Sequence, residues 1–365
     1  MTILPRDLPP LEVRPGPVRA EPLPADRPVR WGILATGKIA RAFAADLALL
    51  PDATIAAVGA RGLDSARRFA EQYGAAAAYG SYQQLVEDPA VDVVYVATPH
   101  ALHKEQVLMA FAAGKPVLCE KALTLTARDA EELVATARSA GLFLMEGMWM
   151  RCNPLVRRLQ QVLATGALGS VQQVRADLGF VVDKPPTDRL LDPQLGGGAL
   201  LDMGVYPLTF AQLFLGHPAR IGAVATLSEG GADLNLALAL AYDTGAIAAL
   251  STTMTAWSPR TASIATEHGR FDIAAPFHHP TTATWTAQSA DPDLAGADLV
   301  EELHEDVLGS GLANEALEVM RCLRTGETES PLVPLDDTVA LLRQTDRIRA
   351  DIGVVYAADA LGCDS

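Results

Sequence analysis

Short apolar runs alternate with helical patterns between residues 29 and 145, and this alternation restricts the fold more than any other feature. The apolar runs lie at 29–34, 54–60, 91–97, 116–119 and 142–145. The helical patterns lie between them, at 39–50, 65–73, 102–113 and 127–140. Strands that alternate with helices form a parallel sheet covered on both faces. The sequence therefore predicts an α/β, doubly wound parallel sheet in the N-terminal half.

The turn after the first run carries a pattern typical of nucleotide binding. Between Gly32 and Ala40 it contains Ala35, Thr36, Gly37, Lys38 and Ile39. Aligned with GxGxxG, the three positions are Ala35, Gly37 and Ala40, so the first glycine is missing. Gly37 has no Cβ, which lets a pyrophosphate approach the N–H groups of the next helix. The pattern favours a Rossmann domain, and a plain strand–helix turn is the alternative.

Three further strand ends carry candidate ligand-binding residues. The second run ends at Ala60, where NAD enzymes usually place an acidic residue for the ribose hydroxyls. The next residue here is Arg61, whose guanidinium suits a 2′-phosphate, so the sequence favours NADP. A solvated surface charge is the alternative for Arg61. Thr98-Pro99 and Glu120-Lys121 follow two more runs, at the sheet edge where ligands bind.

The sequence changes in character after about residue 150. A helix is predicted at 154–164, followed by closely spaced strand patterns at 171–182, 221–227, 234–242, 246–255, 263–267 and 270–274. Short connections such as 243–245 favour antiparallel neighbours. Residues 281–310 are interpreted as a long loop, and two helices follow at 312–325 and 335–350. We therefore predict a C-terminal α+β domain with an open, mostly antiparallel sheet.

A glycine-rich block at 196–207 is the second segment with chemically useful side chains. Its three consecutive glycines let the backbone crowd against a neighbour, and a helix is predicted to begin after them. Asp202 and Tyr206 are four residues apart and therefore share one helix face. A carboxylate and a phenol on that face suit an alcohol substrate, whereas an ordinary surface pair is the alternative.

Composition narrows the classes of partner. The formal net charge is −15, and an acidic chain repels nucleic acid and anionic lipid. No apolar run is expected to reach the roughly 20 residues that span a bilayer. The N-terminus lacks the apolar core of a signal peptide. The four cysteines form no CxxC pair, so we expect reduced thiols in a cytoplasmic protein. His278 and His279 lack the spacing of a metal site, so we expect no metal there.

The first 28 residues are rich in proline, which removes backbone donors and favours extended geometry. Their composition is typical of a disordered tail, and an arm that wraps a neighbouring subunit is the alternative. The predicted organisation is an arm at 1–28, a dinucleotide-binding Rossmann domain at 29–149, and a substrate-binding and oligomerisation domain at 150–365.

Together these motifs resemble the glucose–fructose oxidoreductase, inositol dehydrogenase and rhizopine-catabolism family (Gfo/Idh/MocA), from about Arg30 to Tyr356. The matching segments are 31–33 with the Gly37 turn, 96–99 with His103, 119–121, 197–206, 315–318 and 329–331. Segments 79–82 and 144–151, with tyrosine at position 206, are most similar to the NADP-dependent dihydrodiol and D-xylose dehydrogenase branch.

The resemblance implies hydride transfer between a nicotinamide and a secondary alcohol or carbonyl of a sugar, cyclitol or trans-dihydrodiol. Lys121, Asp202 and Tyr206 match the family's catalytic positions. A phenol titrates near pH 10, and the resemblance implies that the Lys121 ammonium makes Tyr206 a usable base. Asp202 is then expected to orient the substrate hydroxyl. A homodimer or homotetramer, paired through the open sheet, is also implied.

Three other positions carry expectations from the resemblance. His103 is expected either near the nicotinamide ribose or as a core histidine. Trp149 and Arg151 are expected to line the substrate pocket, with core packing the alternative for Trp149.

One position departs from the family pattern. The family's Glu-Lys-Pro is here Glu120-Lys121-Ala122. A cis bond before a residue other than proline costs about 2.5–4 kcal/mol. We therefore predict a trans Lys121–Ala122 bond, with Lys121 slightly displaced.

Two other functions remain open at this stage. An NAD-dependent glycosidase of the same family would retain its cofactor, and Arg61 argues against it because it suggests an exchangeable NADP. A non-catalytic NADP-binding sensor would lack turnover, and Lys121, Asp202 and Tyr206 argue against it.

Overall fold

The structure is a computed structural model that describes residues 4–10, 20–288 and 300–360. The chain divides into two compact units. The first unit contains the described residues from 20 to Cys152 together with Val307–Leu342. The second unit contains residues 4–10, the described part of Asn153–Asp306, and the chain from Arg343 onward.

The first unit is built on a parallel sheet with helices on both faces. Its strands are β1 Val29–Leu34, β2 Ala53–Gly59, β3 Ala77–Tyr79, β4 Val93–Val96, β5 Val117–Glu120 and β6 Leu144–Gly147. Its early helices are α1 Lys38–Leu47, α2 Leu63–Tyr73, α3 Tyr82–Val86, α4 His103–Ala112 and α5 Ala127–Ala140. Within the described residues, the order of this six-stranded sheet is β3-β2-β1-β4-β5-β6, with every pair parallel. The predicted doubly wound sheet is confirmed, and its order reverses between β1 and β4, where such sheets bind ligands.

Helix boundaries in this unit follow the local sequence. Thr126 caps α5 by accepting a hydrogen bond from the N–H of Asp129 at 3.2 Å, and Gly141 ends the helix with φ of 64°. The helix predicted at 65–73 begins two residues earlier in the structure, at Leu63 after the N-cap Gly62. Asp64 therefore lies in its first turn, where its charge favours the helix dipole.

The second unit is built on a mixed sheet with helices packed on it. The helices α6 Pro154–Ala164 and α7 Val205–Leu215 lie within it. Its strands are β7 Val171–Gly179, β8 Arg220–Leu227, β9 Asp233–Ala241, β10 Ile247–Thr253, β11 Ala262–Thr266, β12 Gly269–Ile273, β13 Thr282–Ala287 and β14 Val300–His304. Within the described residues, the order of this eight-stranded sheet is β14-β13-β12-β11-β7-β10-β9-β8, and only the β7–β10 pair is parallel. The expected mostly antiparallel sheet is confirmed.

Three more helices complete the described chain. They are α8 Leu312–Thr325, α9 Leu335–Ile352 and α10 Ala357–Ala360. The helix α8 belongs to the first unit, whereas α9 begins there and ends in the second, which also contains α10.

The long loop predicted at 281–310 is wrong at 282–287 and 300–304, because β13 and β14 lie there. In β13, Ala283, Trp285 and Ala287 point inward and alternate with half-buried threonines. The period is therefore that of a strand, but alanine and threonine give it little hydrophobic contrast. Residues 289–299 of the predicted loop lie outside the described residues.

The run Pro193–Leu215 is the one helical stretch of the described residues that is long and apolar enough to cross a membrane. It is an exception to the expectation that no run reaches this length. In the structure, 78% of its most apolar window is buried inside the protein, and α7 packs on β7 and β10. Its apolar surface is therefore already covered by the sheet.

Residues 20–28 of the proline-rich segment lie against their own chain. The N–H of Ala20 donates to the carbonyl of Gly326 at 2.7 Å, and the N–H of Leu23 donates to Leu323 at 2.9 Å. The guanidinium of Arg324 on α8 donates to the carbonyl of Pro24. This part of the segment is therefore ordered against its own chain and is not a disordered tail, whereas its contact with a neighbouring subunit stays a prediction. Residues 11–19 lie outside the described residues.

Candidate functional site

The turn between β1 and α1 leaves a helix N-terminus open. Gly37 is the N-cap of α1, and no side chain caps the helix there. A Cβ built on Gly37 would meet no atom within 4 Å, so the space in front of the first N–H groups is free. The first turn of α1 also carries no acidic residue. These features fit the pyrophosphate of a dinucleotide, because free N–H groups and the helix dipole both favour an anion.

Other predicted residues of this turn have separate roles. Ala35 adopts a left-handed φ of 87° and donates its N–H to the carbonyl of Gly59 at 2.9 Å. Alanine therefore occupies a conformation that normally selects glycine. The hydroxyl of Thr36 lies 2.9 Å from that of Ser65, at the start of α2. Lys38 and Ile39 are exposed. Gly32 is buried, and a Cβ there would lie 2.8 Å from Val91, so packing alone explains this glycine.

Arg61 lies at the carboxyl end of β2, directly before the N-cap Gly62 of α2. Its side chain is exposed, and no side chain caps α2. Burial raises the pKa of the Tyr82 phenol, and the charge of Arg61 opposes that rise, which places the two side chains near each other. A cation and an open helix N-terminus therefore lie together at this strand end, a combination that suits a phosphate group.

The segment after β4 presents a buried polar atom without a partner. Thr98 is 7% exposed, and within the described part of the chain its Oγ1 has no hydrogen-bond partner. Pro99 follows it and precedes the short 3-10 turn His100–Leu102. A buried hydroxyl without a partner is unusual in a native structure and is explained when a ligand completes it. Thr98 therefore fits the predicted cofactor site at the strand ends.

His103 joins the ends of two neighbouring strands. Its ring is fully buried, with Nε2 2.8 Å from the carbonyl oxygen of Thr98 and Nδ1 2.9 Å from that of Ala122. Burial lowers the pKa of His103, and these carbonyl contacts oppose the shift. Of the two expectations, the structure favours a core histidine, and one that holds the Thr98 and Lys121 segments together.

The bond between Lys121 and Ala122 is cis, so the predicted trans bond is wrong. The prediction used only the intrinsic preference of the bond, whereas the chain around it is fixed by tertiary contacts. Ala122 and Leu123 are fully buried. The N–H of Leu123 donates to Oε1 of Glu146 at 3.0 Å, and the hydroxyl of Thr338 donates to Oε2 of the same carboxylate at 3.0 Å.

Glu120 is turned into the protein by its hydrogen bonds. The phenol of Tyr95 donates to its Oε1 at 2.5 Å, and the N–H of Lys121 donates to its Oε2 at 3.2 Å. Burial raises the pKa of Glu120, and the Tyr95 hydrogen bond opposes that rise. The predicted cofactor residue Glu120 is thus engaged within the protein, where it supports the backbone of Lys121.

The predicted substrate residues Trp149 and Arg151 lie in one 3-10 turn, Trp149–Cys152. A Cβ built on Gly311 would lie 3.2 Å from the Trp149 ring, so the indole packs beside the start of α8. The guanidinium of Arg151 is 7% exposed and donates to Asp337 at 3.0 Å. Burial raises the pKa of Glu146, and the charge of Arg151 opposes that rise. Arg151 therefore supports the carboxylate that holds Leu123.

In the second unit, the glycine block does crowd against neighbouring atoms, as predicted. A Cβ on Gly197 would lie 2.6 Å from the nitrogen of Asp192, and one on Gly198 would lie 2.1 Å from Oδ1 of Asp233. The following residues, Leu200–Gly204, form a π-helical turn that the sequence did not predict. Turns of this kind are rare and are frequently found at functional sites.

The π-helical turn and α7 carry Asp202 and Tyr206. Asp202 is half-buried, and Arg189 lies 3.5 Å from its Oδ1. Tyr206 is only 7% exposed, which rules out the alternative of an ordinary surface pair. The Tyr206 ring lies 4.9 Å from that of His278, measured between ring centroids. Sequence reasoning missed Asp233 and considered His278 only as a metal ligand, because both are distant in sequence from this segment and lie outside any recognisable motif.

The described residues contain no group of three or more His, Cys, Asp or Glu side chains arranged to hold a metal ion. Cys119, Cys152 and Cys322 are buried free thiols. Cys363 lies outside the described residues.

The parallel sheet with its open helix N-terminus defines a Rossmann-type dinucleotide-binding domain. The family described as "Oxidoreductase family, NAD-binding Rossmann fold" matches residues 29–148, and "GFO/IDH/MocA C-terminal domain" matches residues 156–272. This chain belongs to the Gfo/Idh/MocA oxidoreductase family, which confirms the resemblance stated from its motifs.

Several named proteins are similar to this chain over nearly their whole length. The trans-1,2-dihydrobenzene-1,2-diol dehydrogenase of Mus musculus is 37% identical over 337 residues, covering 91% of this chain and 99% of that enzyme. The Homo sapiens enzyme of the same name is 36% identical over 335 residues, with the same coverage of 91% and 99%.

Solved structures are similar as well. A 3-ketoreductase from Actinomadura kijaniata in complex with NADP and TDP-benzene has a TM-score of 0.79 and 28% identity, covering 90% of this chain and 99% of that one. An aldose–aldose oxidoreductase from Caulobacter crescentus complexed with glycerol has a TM-score of 0.78 and 26% identity, covering 89% and 97%.

Proposed function

We propose that this chain is an NADP-dependent oxidoreductase that transfers hydride between the nicotinamide and a secondary alcohol or carbonyl of a sugar, cyclitol or trans-dihydrodiol. The observation that carries the proposal is a set of three features after the parallel strands of the first unit, each suited to binding a dinucleotide. It combines the uncapped N-terminus of α1 at Gly37, the cation Arg61 after β2 and the partnerless hydroxyl of Thr98. The named relatives, which are dihydrodiol dehydrogenases and sugar reductases, support the substrate class.

Arg61 is the residue proposed to select NADP over NAD. A guanidinium that binds a 2′-phosphate contributes about 1.5–3 kcal/mol through charge-assisted hydrogen bonds. Arg61→Ala is therefore expected to weaken NADP binding by about tenfold or more and to leave NAD binding unchanged. Arg68→Ala, an exposed arginine of α2, is the matched control. Equal weakening of both cofactors, or of neither, would remove Arg61 from this role.

The catalytic roles are proposed for three residues. Bound NADP supplies the hydride acceptor for alcohol oxidation. Tyr206 accepts the proton of the substrate hydroxyl, Lys121 supplies the positive charge that favours its phenolate, and Asp202 binds and orients the hydroxyl. Because burial by itself disfavours a phenolate, the buried position of Tyr206 makes a nearby positive charge necessary for this role.

Kinetics of single variants test these roles. Tyr206→Phe is expected to lower kcat by about 10²- to 10⁴-fold, the usual contribution of a general base. Lys121→Met is expected to lower kcat more than it weakens NADP binding. Tyr242→Phe replaces another buried tyrosine of the second unit and is expected to leave kcat unchanged. Unchanged turnover of Tyr206→Phe would exclude Tyr206 as the base.

A substrate panel separates this function from the two alternatives. Reduced nicotinamide is followed by absorbance with D-xylose, D-glucose, inositols and a trans-diol, each under NAD and NADP. Net reduction with NADP supports the dehydrogenase. Release of nitrophenol from glycosides without net reduction would indicate the NAD-dependent glycosidase. Binding of NADP with no turnover on the whole panel would indicate the sensor.

We further propose a homodimer or homotetramer in which a second copy covers the open face of the eight-stranded sheet. On that face Ala239 and Ala249 form an exposed cross-strand pair. Val224 on the neighbouring strand β8 is 74% exposed, and Ile247 on β10, two residues before Ala249, is 47% exposed. Exposed apolar patches of this kind mark protein interfaces.

The buried free thiols of Cys119, Cys152 and Cys322 support a reducing, cytoplasmic location.

A further inference from the structure

A buried carboxylate lies against the turn that leads to Asp202 and Tyr206. Asp233 is the first residue of β9 and is completely buried. Its Oδ2 accepts a hydrogen bond from the N–H of Leu200 at 2.6 Å. Its Oδ1 occupies the space where a Cβ on Gly198 would lie, at 2.1 Å, and Gly198 has φ of 135°. The carboxylate therefore contacts both residues that open the helical segment.

We propose that Asp233 is a positioning residue, whose carboxylate fixes the turn at 198–204 and thereby the presentation of Asp202 and Tyr206. The consequence for turnover rests on the proposed function, whereas the fixing of the turn does not. Asp233 has no place in the motifs that identify the family in this sequence. Its role follows from the contacts that β9 makes with the start of the π-helical turn.

The N-terminal end of the helical segment explains why an acceptor such as this carboxylate is needed there. The first N–H groups of a helix have no partner inside the helix. No side chain of the segment itself caps the turn that begins after Ala199. Asp233 supplies the missing acceptor from a distant strand, and its negative charge also suits the positive end of the helix dipole. The missing Cβ at residue 198 is what allows the carboxylate to come this close.

The charge of Asp233 gives the proposal a signature that depends on pH. Burial raises the pKa of Asp233 to about 6, while the Leu200 N–H and the charge of Arg349 favour the ionised form. The groups that face it electrostatically are Arg349, which Asp346 and Asp359 bind, and the phenol of Tyr356. The carboxylate is ionised above the pKa and becomes protonated as the pH falls through it. Protonation weakens its hold on the Leu200 N–H.

Two substitutions separate the hydrogen bond from the charge. Within the described residues Oδ1 of Asp233 has no hydrogen-bond partner, so Asp233→Asn keeps a neutral acceptor for Leu200 and removes the charge together with its titration. Asp233→Ala removes both. Gly198→Ala drives a methyl group into the carboxylate and is expected to resemble Asp233→Ala. Asp243→Asn, in the exposed turn after β9, is the matched control.

The test combines kinetics with hydrogen exchange on the full chain with NADP. Asp233→Ala is expected to lower kcat by about 10- to 100-fold, since small displacements of catalytic groups have effects of this size. KM for NADP is expected to stay unchanged, and amide exchange at 198–206 is expected to increase. Asp233→Asn carries a neutral acceptor, as the protonated acid does, so its kcat is expected to stay near the low-pH value of the wild type at every pH and to lack the decline near pH 6 expected for the wild type.

Each outcome decides the proposal. Wild-type kcat in Asp233→Ala, or the same decline near pH 6 in Asp233→Asn, would overturn it. If the wild type turns over no substrate of the panel, the proposed function fails and exchange alone decides: unchanged exchange at 198–206 in Asp233→Ala refutes the positioning role. If Asp233→Ala does not fold, the pH profile of Asp233→Asn tests the positioning role in its place.

Discussion

One buried carboxylate, that of Asp92, stabilises the start of the first unit. Asp92, just before β4, accepts hydrogen bonds from the guanidinium groups of both Arg27 and Arg30 and from the N–H of Arg30. Burial alone would raise the pKa of Asp92, but these hydrogen bonds lower it from 3.8 to about 2. The carboxylate thus ties the segment that enters β1 to the neighbouring strand.

Asp92→Asn is expected to lower the free energy of unfolding at pH 7 by about 2 kcal/mol. The pKa is lower in the folded state, so the stabilisation is complete above about pH 4 and is lost as the pH falls towards 2. Urea unfolding of wild type and variant at pH 7 and pH 3 measures the difference, with Asp243→Asn in the exposed turn after β9 as the control. A loss as large at pH 3 as at pH 7 would contradict the linkage.

Ala35 is the residue where the nucleotide turn departs from the glycine pattern. An L-residue in the left-handed region costs about 1–2 kcal/mol, and glycine avoids this cost but adds about 0.4–1 kcal/mol of unfolded-state entropy. Ala35→Gly is therefore expected to stabilise the protein by about 0.5–1 kcal/mol. Ala40→Gly, inside α1, is expected to destabilise it by about 1 kcal/mol. Chemical denaturation measures both, and a destabilised Ala35→Gly would refute the argument.

At the scale of elements, α5 was predictable to the residue because its ends carry their own signals. Thr126 caps it, and Gly141 ends it. Thr126→Ala is expected to lower the free energy of unfolding by about 1 kcal/mol. Thr136→Ala makes the same substitution in the middle of this helix and is expected to be neutral or slightly stabilising, since alanine is the better helix former. Thermal unfolding of the two variants gives the comparison, and equal effects would exclude a capping role.

The sequence did not predict the elements whose local patterns are weak, and a physical reason explains each omission. The strand β3 has three half-buried residues, too few for a periodic pattern. The strand β13 has the correct period, but alanine and threonine provide little contrast. The π-helical turn Leu200–Gly204 depends on Gly198 and Asp233, which meet only in the folded chain. Strands such as β1 and helices such as α6, in contrast, have the predicted bounds because long apolar patterns and caps are local.

At the scale of the whole molecule, the open sheet of the second unit leads to a prediction about assembly. Ala249→Glu places a charge in the exposed cross-strand pair with Ala239, where the second copy is proposed to lie. We expect the wild type to have two or four times the chain mass of 38.6 kDa by light scattering, and the variant to have the mass of one chain. Ala135→Glu, on the exposed face of α5, is expected to leave the mass unchanged. A wild type with the mass of one chain would refute the prediction.

The sequence by itself determined the two kinds of sheet, the Gly37 turn and the family, because periodicity, glycines and caps act between residues close along the chain. It also marked Lys121, Asp202 and Tyr206 as chemically interesting, through motif rather than through geometry. Tertiary structure alone decided the surroundings of those residues. The cis bond after Lys121 and the Leu200 hydrogen bond to Asp233 depend on atoms that meet only when distant strands and helices pack, so no local pattern carries them.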